Sequence, residues 1–184
     1  MPNAILDPTG RAGAEPAAPP PRLMLAPRSA GLAGLRVGLL DNTKHNAALL
    51  LAEIGELMAA DHSVLVTLAE TKPNFAVPAP ADLVDRFRRE CDVIITGVGD
   101  CGSCSASAVA DGIIFEQAGR PAAVICSDAF TVTASAMAEL RGAPGYQYIV
   151  TEHPVAVLDA EQVRQRAKRL LPEVVALLTE RVSQ

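Results

Sequence analysis

Two cysteines separated by two residues give this sequence its clearest chemical signal. Cys101 and Cys104 lie in the stretch VIITGVGDCGSCSAS at residues 93–107, where an apolar run meets a glycine-containing turn and then small residues. The pattern predicts a buried strand that leads the C-x-x-C pair to the first turn of a helix. The free N–H groups and positive dipole end of a helix stabilise a thiolate, the form of cysteine that attacks substrates or binds metal.

A C-x-x-C pair fits three kinds of site: a redox pair, half of a zinc site, or two small buried residues in a tight turn. The coincidence of strand, glycine-containing turn and helix start favours a reactive thiol pair. Gly97, Gly99 and Gly102 allow positive φ angles and close approach of another molecule to the backbone. Asp100 or Ser103 is predicted to cap the helix.

Length and composition predict one soluble domain. The chain has 184 residues, of which 49% are hydrophobic and 20% are charged, as in a globular protein with an ordinary core. The net charge of −5 and the absence of Trp argue against nucleic acid and anionic membranes as partners. Without a membrane-length apolar run or a signal-peptide pattern, the expected location is cytoplasmic. Four cysteines in such a chain favour catalysis or metal binding over a disulfide framework.

The first 34 residues differ in character from the remainder. Residues 1–34 are rich in proline and lack helical or strand periodicity, which predicts an extended N-terminal arm, partly disordered across residues 13–22. The apolar residues Ile5 and Leu6, and those at 23–25, are expected to pack on a surface or a neighbouring subunit. A homodimer is therefore the expected assembly.

From residue 35 to residue 184 the chain alternates strand-like and helix-like segments, which predicts a single α/β domain. Five strands that alternate with five helices require parallel pairing through right-handed crossovers. We expect a doubly wound parallel five-stranded sheet of flavodoxin-like order. The predicted strands cover residues 36–41, 63–68, 91–96, 120–126 and 146–150, and the predicted helices cover 46–60, 81–90, 105–117, 130–141 and 160–181.

Ligands of this fold bind beyond the carboxyl ends of the strands. Cys126 ends the strand beside the C-x-x-C strand, so it is a candidate second resolving thiol, a third metal ligand or a small core residue. Cys91 begins the C-x-x-C strand and is expected to take no part. Lys44 and Lys72 are candidates for lowering the pKa of a thiol or holding a carboxylate, against ordinary surface solvation.

Asp100 precedes the first cysteine of the motif. If charged, it would raise the pKa of that thiol, so we expect it to cap, to orient or to act as a general base. The turn lacks both nucleotide-binding glycine patterns, G-x-x-x-x-G-K-[ST] and G-x-G-x-x-G, which argues against nucleotide binding.

Longer stretches of sequence carry a family resemblance. TGVGDCGSCSASAVADGI at residues 96–113, ILDPTG at 5–10, GLLDNTKHNA at 38–47 and EHP at 152–154 closely resemble the UGSC family of (seleno)proteins, named for a selenocysteine-Gly-Ser-Cys motif. Cys101 falls on the selenocysteine position and Cys104 on the final cysteine. The resemblance implies that the first ten residues are ordered. The family's usual K-P-N appears here as Lys44-His45-Asn46, so His45 is a departure.

More distantly, the chain is similar to the thiol subunits of glycine and proline reductases and to the aspartate/glutamate racemase superfamily. A position that accepts selenium implies redox or strongly nucleophilic chemistry. The resemblance thus implies a thiol-dependent oxidoreductase, or an enzyme of reductive cleavage, that acts without a cofactor on a small electrophilic substrate. Cys101 would attack and Cys104 would resolve the adduct, with a thiol reductant or a partner subunit as electron donor.

Two alternatives stay open. One is a cofactor-independent racemase-like isomerase or lyase with Cys101 as acid/base. The other is a subunit in which Cys101, Cys104, Cys126 and a histidine hold zinc. For all readings, the residues predicted to contact a small, anionic substrate are Asn42, Lys44, His45, Gly99, Gly102, Ser103 and His153.

Overall fold

The computed structural model describes residues 23–179, in which five strands and five helices alternate. The strands are β1 (Arg36–Asp41), β2 (Leu65–Thr71), β3 (Val93–Gly99), β4 (Ala122–Ser127) and β5 (Ile149–Thr151). The helices are α1 (Ala47–His62), α2 (Ala81–Glu90), α3 (Gly102–Gln117), α4 (Thr131–Leu140) and α5 (Ala160–Thr179), with a short 3-10 helix at Asp128–Phe130 before α4. None of these helices has the length and apolar character that crossing a membrane requires.

All strand pairs are parallel, and their order across the sheet is β2-β1-β3-β4-β5. This confirms the predicted doubly wound α/β fold of flavodoxin-like order. Helices α1 and α5 pack together, while α3 packs on α2 and on α4. The connection after β1 runs to one side of the sheet, towards β2, and the connection after β3 runs to the other side, towards β4. The carboxyl ends of β1 and β3 therefore flank the position where ligands bind in such folds.

The sheet is buried most completely at its centre. Every residue of β3 and β4 is buried, which explains their continuous apolar sequences. One apolar cluster joins the sheet to α1 and α5, and two others join it to α2, α3 and α4. The C-x-x-C turn therefore starts from the most rigidly packed part of the molecule.

The strand before the C-x-x-C pair is longer than predicted. It continues beyond residue 96 to Gly99, and α3 begins at Gly102 rather than at residue 105. A Cβ atom at Gly99 would lie 2.7 Å from both the Cys126 sulfur and the Ser105 hydroxyl oxygen, so the end of β3 packs closely on α3 and β4. Gly97, Gly99 and Gly102 do not use the positive φ angles open to glycine; within residues 23–179 the positive-φ glycines are Gly34, Gly119, Gly142 and Gly145.

The described part of the predicted arm is anchored to the domain. Leu23 is buried, and its N–H donates to the Gly142 carbonyl at 3.1 Å. The Arg28 guanidinium donates to both carboxylate oxygens of Glu116 at 2.7 Å, and both side chains are buried. The contacts predicted for Ile5 and Leu6, like the order or disorder predicted for residues 1–10 and 13–22, lie outside the described residues.

Candidate functional site

The thiol pair lies at the N-terminus of α3. Cys101 is the N-cap residue, and the Cys104 N–H donates to its sulfur at 3.3 Å. The predicted cap, from Asp100 or Ser103, is therefore wrong, because Cys101 itself satisfies that N–H. Cys101 and Cys104 are joined by a disulfide, with their Cα atoms 5.2 Å apart. Cys101 is partly exposed, whereas Cys104 is completely buried, so the two cysteines of the pair differ in their access to solvent.

The mouth of this turn is formed by small residues. Ser103 is exposed, and its hydroxyl oxygen lies 3.7 Å from the Cys101 sulfur. A Cβ atom at Gly102 would meet nothing closer than the Thr133 hydroxyl at 3.9 Å. The space beside Gly102, the residue after Cys101, is therefore open.

Asp100 is buried beside the thiol pair and faces hydrogen-bond donors. Its carboxylate accepts from the N–H groups of Val155 at 3.1 Å and Ala156 at 3.0 Å, and from His153 Nδ1 at 2.9 Å. Burial raises the pKa of Asp100, but these hydrogen bonds together lower it by more than burial raises it. The pKa of Asp100 is therefore below its usual value. Of the three predicted roles, the contacts favour orientation.

His153 is held in one orientation by its neighbours. Its Nδ1 faces Asp100 at 2.9 Å and the Ser127 hydroxyl oxygen at 3.3 Å, and that hydroxyl donates its own hydrogen to the Gly99 carbonyl. Since both neighbours accept, we assign the proton of the neutral ring to Nδ1, which leaves Nε2 with a free lone pair. The ring of Phe130 packs edge-on against the imidazole at 5.3 Å.

Ser127 and Phe130 are site residues that sequence reasoning missed. Ser127 is the last residue of β4, at the edge where the site was expected, but no motif marks it. Phe130 was assigned to the start of a helix and instead ends a 3-10 turn. The adjacent Asp128 accepts the His153 backbone N–H at 3.0 Å, so this turn supports the imidazole from two sides.

Cys126 lies at the predicted edge but is completely buried. Burial raises the pKa of its thiol to about 12. A thiol with this pKa stays protonated at neutral pH, so Cys126 lacks the thiolate that a resolving residue needs. Cys91 is buried just before β3, at the opposite end of that strand, where the sequence predicted it.

The loop after β1 is tied to its neighbours by polar side chains. Asn42 is buried, and its amide donates to the Val98 carbonyl at 2.9 Å and accepts the Val98 N–H at 3.0 Å. His45 Nδ1 lies 2.6 Å from the Ala156 carbonyl oxygen, and Asn46 donates to the Val155 carbonyl at 3.0 Å. The Asn42 and His45 side chains, both predicted to bind substrate, thus make contacts that position the loops around Asp100.

The two lysines predicted at this edge have different surroundings. Lys44 is partly exposed, and its ammonium lies 5.7 Å from the centre of the Phe75 ring. Lys72 is completely buried, so its predicted role of holding a substrate carboxylate is wrong. The Lys72 ammonium uses its three N–H groups within the protein, donating to the Val77 carbonyl, the Ser107 hydroxyl and the Asp111 carboxylate at 2.9, 2.7 and 2.5 Å.

Between residues 23 and 179 there is no group of three or more His, Cys, Asp or Glu side chains arranged to hold a metal ion. Cys101 and Cys104 would become zinc ligands only after their disulfide is reduced, because zinc binds thiolates. The zinc alternative therefore requires the reduced protein.

The fold and this edge define a class: a doubly wound α/β protein that carries a C-x-x-C pair and an Asp–His pair beyond the carboxyl ends of its strands. A family model described as the UGSC family matches residues 4–180, and the chain belongs to that family. No curated protein matches the chain significantly. The similarity to selenoproteins and to reductase thiol subunits stays a prediction.

Proposed function

We propose that this protein is a thiol-dependent oxidoreductase that reduces a small electrophilic substrate by two electrons, using Cys101 and Cys104. The observation that carries the proposal is the asymmetry of the bonded pair at the start of α3, where Cys101 is partly exposed and Cys104 is completely buried. An attacking thiol must reach the substrate, whereas a resolving thiol must reach only the first sulfur. The different burial of the two cysteines supports Cys101 as the attacking residue and Cys104 as the resolving residue.

In the first step the Cys101 thiolate attacks an electrophilic atom of the substrate, such as one atom of a peroxide or disulfide bond. A bond forms between sulfur and that atom, and the substrate bond breaks with its electron pair on the leaving group. The N-terminus of α3 favours the thiolate over the thiol, because the Cys104 N–H and the helix dipole face the Cys101 sulfur.

In the second step Cys104 gives up its proton, and the resulting thiolate attacks the Cys101 sulfur. The Cys101–Cys104 bond forms, and the bond to the first half of the substrate breaks with its electron pair on that half. The protein has then lost two electrons and two protons, and the substrate has gained them. A thiol reductant restores both cysteines by exchange with the disulfide.

Proton transfer is assigned to His153. Asp100 immediately precedes Cys101 and holds His153 Nδ1, so the imidazole lies on the same edge with its Nε2 free. In the first step Nε2 takes the Cys101 proton and gives it to the first leaving group, and in the second step the Cys104 proton passes in the same way to the other half of the substrate. Asp100 acts here as a positioning residue, because its carboxylate is occupied by two backbone N–H groups and the imidazole.

The test uses hydrogen peroxide and a small aromatic disulfide as probes, with intact mass and thiol counting as readouts. We expect Cys104→Ser to hold half of the disulfide probe as a stable adduct on Cys101, while wild type releases both halves and forms the internal disulfide. Cys91→Ser, at the opposite end of β3, is the matched control and should behave as wild type. Rapid probe reduction by Cys101→Ser would overturn the proposal, and solvent-proton exchange without loss of thiols would favour the isomerase alternative.

A further inference from the structure

A polar cleft lies beside His153, on the side of the loop after β5 that faces α5. Its volume is about 440 Å³, which is within the range of pockets for small molecules. Its walls include His153, Glu152 and Pro154 from the loop and Gln165, Arg166 and Arg169 from α5. The cleft therefore has the His153 side of the Asp–His pair in one wall and two arginines, Arg166 and Arg169, in another.

Arg166 is a buried cation at the wall of this cleft. Its side chain is only 7% exposed, and one terminal nitrogen donates to the Thr151 hydroxyl at 2.8 Å and to the Glu152 carbonyl at 2.6 Å. The other terminal nitrogen makes a long contact of 3.3 Å with the Glu152 carboxylate. Its Nε is buried and has no hydrogen-bond partner among the described residues.

The contact with Glu152 is weakly held. The Glu152 side chain is 75% exposed and meets Arg166 only at that 3.3 Å distance. An arginine binds a carboxylate best through two parallel N–H groups, and Arg166 offers such a pair at Nε and the second terminal nitrogen. Another carboxylate can therefore replace that of Glu152 on this side of the guanidinium.

The charges around the cleft fit one negative charge. Glu161 accepts from Arg164 at 3.2 Å and from Gln165 at 2.7 Å, so its charge is compensated outside Arg166. Arg169 makes no ion pair with the described residues and lines the same cleft. A ligand carboxylate that displaces the Glu152 carboxylate replaces one negative charge with another. The displaced Glu152 side chain stays nearby, so it repels a second negative charge such as that of a phosphate dianion.

We propose that this cleft binds the carboxylate of the substrate, with the carboxylate on Arg166 and Arg169 and the reacting end directed past His153. This inference rests on the proposed function, because it takes His153 to serve Cys101. It assigns the substrate to the class of small monocarboxylates. It also replaces the two lysines of the sequence prediction as the cationic groups that hold the substrate.

The test titrates the full-length protein with propionate, propionamide and inorganic phosphate, and follows the His153 imidazole signal by NMR, assigned with His153→Gln. We expect propionate to bind and the neutral amide not to bind. Arg169→Gln should raise the Kd for propionate at least about fivefold, whereas Glu152→Gln should lower it because the competing carboxylate is gone. Lys168→Gln, next to Arg169 but outside the cleft, is the matched control and should leave the Kd unchanged.

Equal binding of propionamide, tighter binding of phosphate than of propionate, or an unchanged Kd in both Arg169→Gln and Glu152→Gln would overturn the inference. Alkylation of Cys101, measured on the same samples, separates the two proposals. A reactive Cys101 in a protein that ignores propionate refutes only the carboxylate cleft. Propionate binding in a protein whose Cys101 is inert refutes only the thiol chemistry.

Discussion

Asp100 offers the sharpest test of how the site is built, because Asp100→Asn changes one buried oxygen and almost no volume. One carboxylate oxygen accepts from His153, and the other accepts from the N–H groups of Val155 and Ala156. An asparagine places an NH₂ group against one of these donors, whichever way it is turned. Since an unsatisfied buried donor costs about 1–3 kcal/mol and a charge-assisted bond is also lost, we expect a loss of about 2–4 kcal/mol in the free energy of unfolding.

The loss should depend on pH in a defined direction. Hydrogen bonding lowers the pKa of Asp100 in the folded state, so its contribution is fully present above the ordinary aspartate pKa of 3.8. That contribution is lost as the pH falls through the lowered pKa of the folded state. The difference between wild type and Asp100→Asn should therefore shrink as the pH falls below about 4.

Urea unfolding followed by circular dichroism, at several pH values, measures this difference. Asp61→Asn is the control, because Asp61 is an exposed aspartate at the end of α1. If Asp100→Asn at pH 7 lowers the free energy of unfolding no more than Asp61→Asn does, the structural role assigned to the Asp100 carboxylate is wrong. A difference that grows as the pH falls below about 4, where the Asp100 carboxylate takes up its proton, would also contradict that role.

Two further predictions concern the packing and the charges around the site. Gly99→Ala should cost about 1–3 kcal/mol of unfolding free energy because its Cβ would lie 2.7 Å from two side-chain atoms, whereas Gly102→Ala should cost far less; equal losses in urea unfolding would contradict this packing. Lys72→Met should cost about 3–5 kcal/mol by leaving Asp111 buried without its counter-charge, and adding Asp111→Leu should recover part of the loss. Thermal unfolding that shows no such recovery would contradict this account of the ion pair.

The sequence predicts the fold well because each prediction uses neighbouring residues. The buried run of β3, the helix of residues 81–90 and the alternation of elements depend on local patterns of apolar residues, and the structure confirms them. The location of the thiol pair follows in the same way, since a strand, a turn and a helix start are consecutive. The bounds of several elements differ from the prediction: β3 continues to Gly99, which packs against Cys126, and α3 begins at Gly102.

The partners of the site residues depend on distant parts of the chain, and local patterns do not encode them. Asn42 looks like a free polar loop residue, yet its amide is used by Val98, 56 residues away. Lys72 looks like a surface cation, yet it is paired with Asp111, 39 residues away. The side chains that contact His153, those of Asp100, Ser127 and Phe130, come from three separate parts of the chain. They are brought together only when the sheet has folded.

Alkylation of the freshly reduced protein tests directly whether Cys101 is a reactive thiol. The rate is measured between pH 5 and 9 and is read residue by residue from peptide masses. The metal content is determined on the same sample. We expect Cys101 to react first, with a half-maximal rate below about pH 8.5, the ordinary thiol pKa. We also expect oxidation to join Cys101 to Cys104. Inert Cys101 and Cys104 with one zinc ion bound per chain would contradict the account and establish the metal-binding alternative.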